Sequence, residues 1–154
     1  MSRAPHLLAI EARFYPHISD WLWTGAERAM KAAGATWERL VVPGAFEIPG
    51  VIAMAAAGGG GPGARPFDGY VALGCVVRGE TSHYDYVCGE SARGLMDLAV
   101  REKLAIGYGI LTVENGAQAE ERARPDRRDK GGDAVAACLA MVALRRRFAP
   151  GGAS

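Results

Sequence analysis

The chain reads as an α/β protein: a three-layer α/β/α sandwich on a four-stranded parallel sheet with helices on both faces. Two observations predict this. Apolar, β-branched runs alternate with segments whose apolar residues recur at helical spacing, in the order βαβαβαβαα, and strands separated by helices pair in parallel through right-handed crossovers. The third run, Tyr70–Val77 (YVALGCVV), is apolar at both alternate sets of positions, the pattern of a strand buried on both faces.

The elements run in this order. Leu7–Arg13 is the first strand, and the helix after it collects Ile18, Leu22, Ala26, Ala29, Met30 and Ala33 on one face before Gly34 ends it. Thr36–Val42 is the second strand. Pro43-Gly44 turns the chain into a helix over Phe46–Ala57, where Pro49 is tolerated only in the first turn. The stretch GGGGPGARP, Gly58–Pro66, is a flexible surface connector. After the Tyr70–Val77 strand, a helix from His83 to about Lys103 presents Tyr84, Val87, Cys88, Ser91, Leu95, Leu98 and Ala99 toward the sheet. Ala105–Thr112 is the fourth strand and Glu114–Arg122 a short helix. Arg122–Lys130 is a charged turn, and a final helix carries Ala134, Ala137, Cys138, Met141, Leu144 and Phe148 at helical spacing. Arg145, Arg146 and Arg147 fall in its last turn, where cations complement the helix dipole.

Composition narrows the function. A chain of 154 residues is expected to form one domain over residues 1–154. Lys and Arg number 18 against 17 Asp and Glu, a formal charge of +1 that argues against nucleic-acid binding driven by charge. A hydrophobic content of 49% argues against disorder. With no apolar stretch of spanning length and no signal-peptide layout, the expected location is the cytoplasm, with no membrane partner. Cys75, Cys88 and Cys138 are odd in number and widely spaced, so neither a disulfide framework nor a metal site is expected.

Three polar clusters lie just past strand ends: Phe14-Tyr15, Gly44-Ala45-Phe46-Glu47, and Arg78 to His83. In a parallel sheet these ends share one edge, where open α/β sheets bind ligands. Phe14 there either stacks on a planar heterocycle or caps the core. Glu47 either accepts hydrogen bonds from a polyol or complements a helix dipole. The free amides of the helix opened by His83, with Arg78 and two hydroxyls nearby, suit an anion. His83 is either a proton-transfer group or an ordinary helix-terminus residue. His6 and His17 lack such a setting and are read as structural. Trp21, Trp23 and Trp37 belong either to the core or to an interface.

Six blocks carry a resemblance that spans nearly the whole chain: ARF at Ala12–Phe14, VPGAFEIP at Val42–Pro49, ALGCVVRGETSHYDYV at Ala72–Val87, YGILTVEN at Tyr108–Asn115, QAEERA at Gln118–Ala123 and KGGDA at Lys130–Ala134. In this order and spacing they resemble the lumazine synthase family of riboflavin biosynthesis, whose fold is flavodoxin-like. The resemblance implies condensation of 5-amino-6-(ribitylamino)uracil with 3,4-dihydroxy-2-butanone 4-phosphate to 6,7-dimethyl-8-ribityllumazine, phosphate and water, with no cofactor. By similarity, Phe14 stacks on the pyrimidine, the backbone at Val76 and Val77 reads its polar edge, and Ala45, Phe46 and Glu47 hold the ribityl chain. Gly79, Glu80 and Thr81 cradle the phosphate, with Arg122 reaching in from a neighbouring subunit. His83 matches the proton-transfer histidine. Lys130 and Tyr108 complete the pocket, Tyr108 from across the subunit boundary.

The chain departs from the common family pattern at Tyr15, Glu80 and Gly89, where many members have Asn, Ala and Asn. A carboxylate at Glu80 would repel phosphate unless it points away, which leaves more weight on Gly79 and Thr81. The turn RPDRRD before Lys130 differs from the GTKAGN-type turn of capsid-forming members, which favours a homopentamer, or a decamer, over a sixty-subunit capsid. Two rival readings share the fold: a non-catalytic flavin- or lumazine-binding module and a shell-forming paralogue.

Overall fold

The chain enters its sheet near the centre. In the computed structural model, which describes residues 3–151, His6–Ala12 (β1) pairs in parallel with Thr36–Val42 (β2) on one side and with Gly69–Val77 (β3) on the other. Ile106–Val113 (β4) completes the order β2-β1-β3-β4 by pairing in parallel with β3. The register sets Ile10 opposite Leu40 and Ala72, and Ala72 opposite Tyr108. Every strand therefore ends on the same edge, and the order reverses between β1 and β3, where a crevice opens. The flavodoxin-like three-layer reading stands.

Pro16–Ala32 (α1), Gly116–Ala123 (α4) and Lys130–Arg147 (α5) cover one face, while Ile48–Gly58 (α2) and His83–Arg101 (α3) cover the other. Strand alternation explains the division. Leu7, Ala9, Val71 and Leu73 pack with Ala26, Met30, Val135 and Cys138 under α1 and α5. Leu8, Ile10, Tyr70 and Ala72 pack with Ile48, Ile52, Val87 and Leu95 under α2 and α3. Tyr70 through Cys75 are all buried, as a strand covered on both faces requires. The edge strand β2 is mostly exposed. Among the described residues no helix is long and apolar enough to cross a membrane.

Two details differ from the sequence reading. The segment before Pro49 is a 3-10 turn over Ala45–Glu47, and the α-helix starts only at Ile48. Pro49 still sits in the first helical turn, where its missing N–H is harmless. In α5 the buried stripe is Gly131, Gly132, Ala134, Val135, Cys138 and Val142, whereas Ala137, Met141, Leu144 and Phe148 are exposed. The buried stripe begins earlier than the purely hydrophobic one because Gly131 lets the helix close on α1, where a Cβ would lie 2.1 Å from the Leu22 carbonyl oxygen. Of the tryptophans, Trp23 and Trp37 meet edge to face at 6.4 Å beside the α1–α5 core, and Trp21 packs near α4. His6 stacks on Phe67 and His17 meets Trp21, both in structural roles.

Candidate active site

Three strand-to-helix turns build the site. After β1, Tyr15 holds an extended backbone and Pro16 opens α1, so the chain bends sharply and leaves Phe14 72% exposed. Its ring meets that of Tyr15 edge to face, with centroids 5.0 Å apart. After β2, Pro43 and an extended Gly44 lead into the 3-10 turn, which buries Ala45 and projects Phe46 and Glu47 outward. After β3, Gly79 to Ser82 form an exposed turn in which the Thr81 hydroxyl accepts from the His83 amide at 3.3 Å. The Ser82 side chain makes no cap bond, and the positive end of a 19-residue helix faces the open edge.

These turns enclose one open cleft of about 450 Å³. Phe14, Ala45, Phe46, Glu47, Val76, Val77, Gly79, Thr81 and His83 all line it. An exposed aromatic ring, a carboxylate, the positive end of α3 and an imidazole thus face a single volume. Such a set can hold a flat ring, a polyol and an anion at once.

Glu80 is exposed on the same turn but does not line the cleft. Arg78 also lies outside it. Its Nε donates to Glu114 at 2.7 Å and its Nη1 to Asp85 at 3.4 Å, with the guanidinium 4.3 Å over the Tyr84 ring. Arg78 therefore braces the ends of β3 and β4 against α3 rather than offering a free cation. Tyr108 sits on β4 facing α3, 43% exposed. Burial raises its hydroxyl pKa, a hydrogen bond with Ser91 opposing, so the phenol is neutral at physiological pH. Arg122 lies on α4, where its Nη1 donates to the Gln118 carbonyl at 3.2 Å, and Lys130 opens α5 at 3.4 Å from Asp133. Both helices cover the face of the sheet opposite α3.

Tyr84 and Val87 line the cleft as well. The sequence reading put them on the sheet-covering stripe of α3, which is correct further along. The first turn of the helix overhangs the strand ends, so the same stripe faces the cleft there. Cys75 and Pro43 complete the walls.

A sequence model of the 6,7-dimethyl-8-ribityllumazine synthase family matches residues 5–146. The chain belongs to this family. It is 53% identical over 148 residues to the 6,7-dimethyl-8-ribityllumazine synthase of Bartonella tribocorum, covering 96% of this chain and 95% of that one. It is 56% identical to 6,7-dimethyl-8-ribityllumazine synthase 1 of Rhizobium meliloti, covering 93% of each. With the synthase of Agrobacterium fabrum it shares 54% identity over 94% of this chain and 97% of the relative. A lumazine synthase is a transferase of riboflavin biosynthesis, and the cleft lies where a flavodoxin-like sheet binds its ligands.

Proposed function

We propose that this cleft is where 5-amino-6-(ribitylamino)uracil condenses with 3,4-dihydroxy-2-butanone 4-phosphate. The observation that carries the reading is the convergence of all three strand-end clusters on one volume. Phe14 stacks on the pyrimidine, the backbone at Val76 and Val77 reads its edge, and Ala45, Phe46 and Glu47 hold the ribityl chain. The amides at Gly79 and Thr81, at the positive end of α3, hold the phosphate. The Glu80 side chain, which does not line the cleft, takes no part in this hold.

Schiff-base formation, phosphate elimination and ring closure each move protons between carbon, nitrogen and oxygen. His83, in reach of the phosphate end and the amine, serves these transfers as acid and base in turn. No cofactor enters. Holding two small substrates in register supplies the rest, largely as saved entropy.

On one chain Tyr108, Arg122 and Lys130 lie away from the cleft, so the reading requires a neighbour to bring them. We place the sites between adjacent subunits of a homopentamer, with a decamer rather than a sixty-subunit capsid as the larger form. Exposed Tyr86, Met96 and Val100 on α3 and Met54 on α2 supply apolar surface for such a contact. In the turn before α5, Arg124 pairs with Asp126 and Glu120, and Arg127 with Glu121. The cytoplasm is the expected compartment, where thiols such as Cys75, Cys88 and Cys138, all free, are kept reduced.

Incubation with both substrates and no added metal should produce the lumazine chromophore above the spontaneous rate. Sensitivity to EDTA, or no excess product at saturation, would count against the reading. Mixing inactive Phe14→Ala chains with inactive Arg122→Ala chains should restore part of the activity, and the native mass should be a multiple of five chains. A fully active monomer, or exchanged rings with no recovery, would sink the shared site.

A further inference from the structure

Among the described residues Glu11 is the one carboxylate buried in the core, 1% exposed, and the proposed chemistry does not use it. It lies on β1 with its side chain toward α1. Two guanidinium groups meet it: Arg39 of β2 donates from Nε at 2.5 Å and from Nη2 at 3.3 Å, and Arg13 donates from Nη1 at 2.8 Å. The other arm of Arg13 reaches Asp20 on α1. Arg39 lies 3.9 Å over the ring of Trp23, also on α1. A chain of charges thus runs from β2 through β1 to the second turn of α1, closing around the turn that carries Phe14.

Stability alone does not call for this arrangement. Only the Glu11 carboxylate is buried: Arg13 is 23%, Arg39 39% and Asp20 68% exposed, and pairs this solvated contribute little net stability. Phe14 does call for it. Its ring is 72% exposed, with the Tyr15 ring edge to face at 5.0 Å, so core packing does little to set its direction. That direction is inherited from the backbone at Arg13, which Glu11 holds from the strand and Asp20 from the helix.

We infer that Glu11 is a positioning residue for the heterocyclic substrate: through Arg13 it locks the turn after β1 and holds the Phe14 ring in stacking orientation. The inference rests on Phe14 stacking on the pyrimidine. A role confined to the scaffold predicts something else, namely lower stability with both substrates affected alike.

The test uses the assembled full chain and measures KM separately for the uracil and the ketose-phosphate substrates. Phe14→Ala should raise the KM for the uracil by about five- to a hundredfold, the range of aromatic–base stacking. If it does not, the stacking reading itself fails and this inference with it. Given that rise, Arg13→Met should raise the same KM by about five- to fiftyfold while leaving the ketose-phosphate KM within about twofold. In the Phe14→Ala background it should add nothing, and Arg13→Lys should recover part of the loss. Glu11→Gln should match Arg13→Met. Should that variant not fold, Arg13→Met decides alone, since it leaves the Glu11–Arg39 pair in place. With Phe14→Ala impaired, an unchanged uracil KM in Arg13→Met, an equal rise for both substrates, or additivity with Phe14→Ala overturns the inference.

Discussion

The two faces of the sheet are covered in opposite ways. Under α5 the helix and strands are so close that a Cβ on Gly107 would lie 1.9 Å from the Ala134 carbonyl oxygen, and one on Gly131 would lie 2.1 Å from that of Leu22 in α1. Under α3 the sheet meets ordinary side chains, Val87 and Leu95, and toward the strand ends the covering lifts away to leave the cleft. The tight face holds strands and helices in one alignment. The loose face spends that alignment on open space lined by groups from three different turns.

Breaking the tight face should have the largest effect. Gly107→Ala must push backbone atoms apart, and we expect a loss of about 3 kcal/mol or more in urea unfolding, or failure to accumulate folded protein. On the loose face Gly89 of α3 has nothing within 4 Å of its missing Cβ, so Gly89→Ala should be neutral or gain up to about 1 kcal/mol from helix propensity. Equal costs for the two substitutions would end the contrast.

The next test separates chemistry from scaffold. His83→Ala should slow turnover by roughly ten- to ten-thousandfold, the usual range for a lost general acid or base, with an unchanged urea midpoint. Residual activity should persist through positioning. A variant matching the parent across pH would leave His83 as a helix-terminus residue only.

A smaller effect should appear in alkali. On the tight face burial pushes the Cys138 thiol from its ordinary 9.0 up to about 12. Its folded pKa is raised, so the stabilisation is complete below the unfolded value near 9 and is lost as pH climbs toward 12. The urea midpoint of the parent should therefore fall more between about pH 9 and 10.5 than that of Cys138→Ala. Parallel pH profiles would contradict the assignment. Smallest of all, Arg124→Ala should cost less than about 1 kcal/mol despite contacts of 2.8 and 3.0 Å to Asp126 and Glu120, because these pairs are partly solvated.

Much of this contrast was legible beforehand, and the exceptions have physical causes. Period-2 and helical spacing are dictated by side-chain geometry, so the element order and the doubly buried Tyr70–Val77 were readable. The 3-10 turn at Ala45–Glu47 was not, because residues ahead of Pro49 suit either kind of helical turn and only tertiary packing separates them. The buried stripe of α5 was displaced because Gly131, invisible to a hydrophobic count, brings the helix so close to α1 that a Cβ would lie 2.1 Å from the Leu22 carbonyl oxygen. At the cleft, Phe14, Glu47 and His83 were readable because strand ends share an edge. Arg78 was expected to face an anion, but Glu114, 36 residues away, and Asp85 on the next helix hold it, and the Glu114 pairing is one no local pattern announces.

The connector Gly58–Pro66 runs at the opposite end of the sheet from the cleft, and Gly59, Gly60, Gly61 and Gly63 all take the left-handed backbone that favours glycine. The start of β3 is anchored to β1 beyond the connector's glycines: the Asp68 amide donates to the His6 carbonyl at 2.7 Å, and the Asp68 carboxylate accepts from the His6 amide at 2.8 Å and from Arg65, at the connector's end, at 3.3 Å. The register of β3 is thus reset from Arg65 onward, whatever the length of the preceding glycine stretch. That makes it the natural splice point of the molecule, where a peptide tag or a guest sequence can be grafted while the strand ends, and the chemistry above them, keep their places.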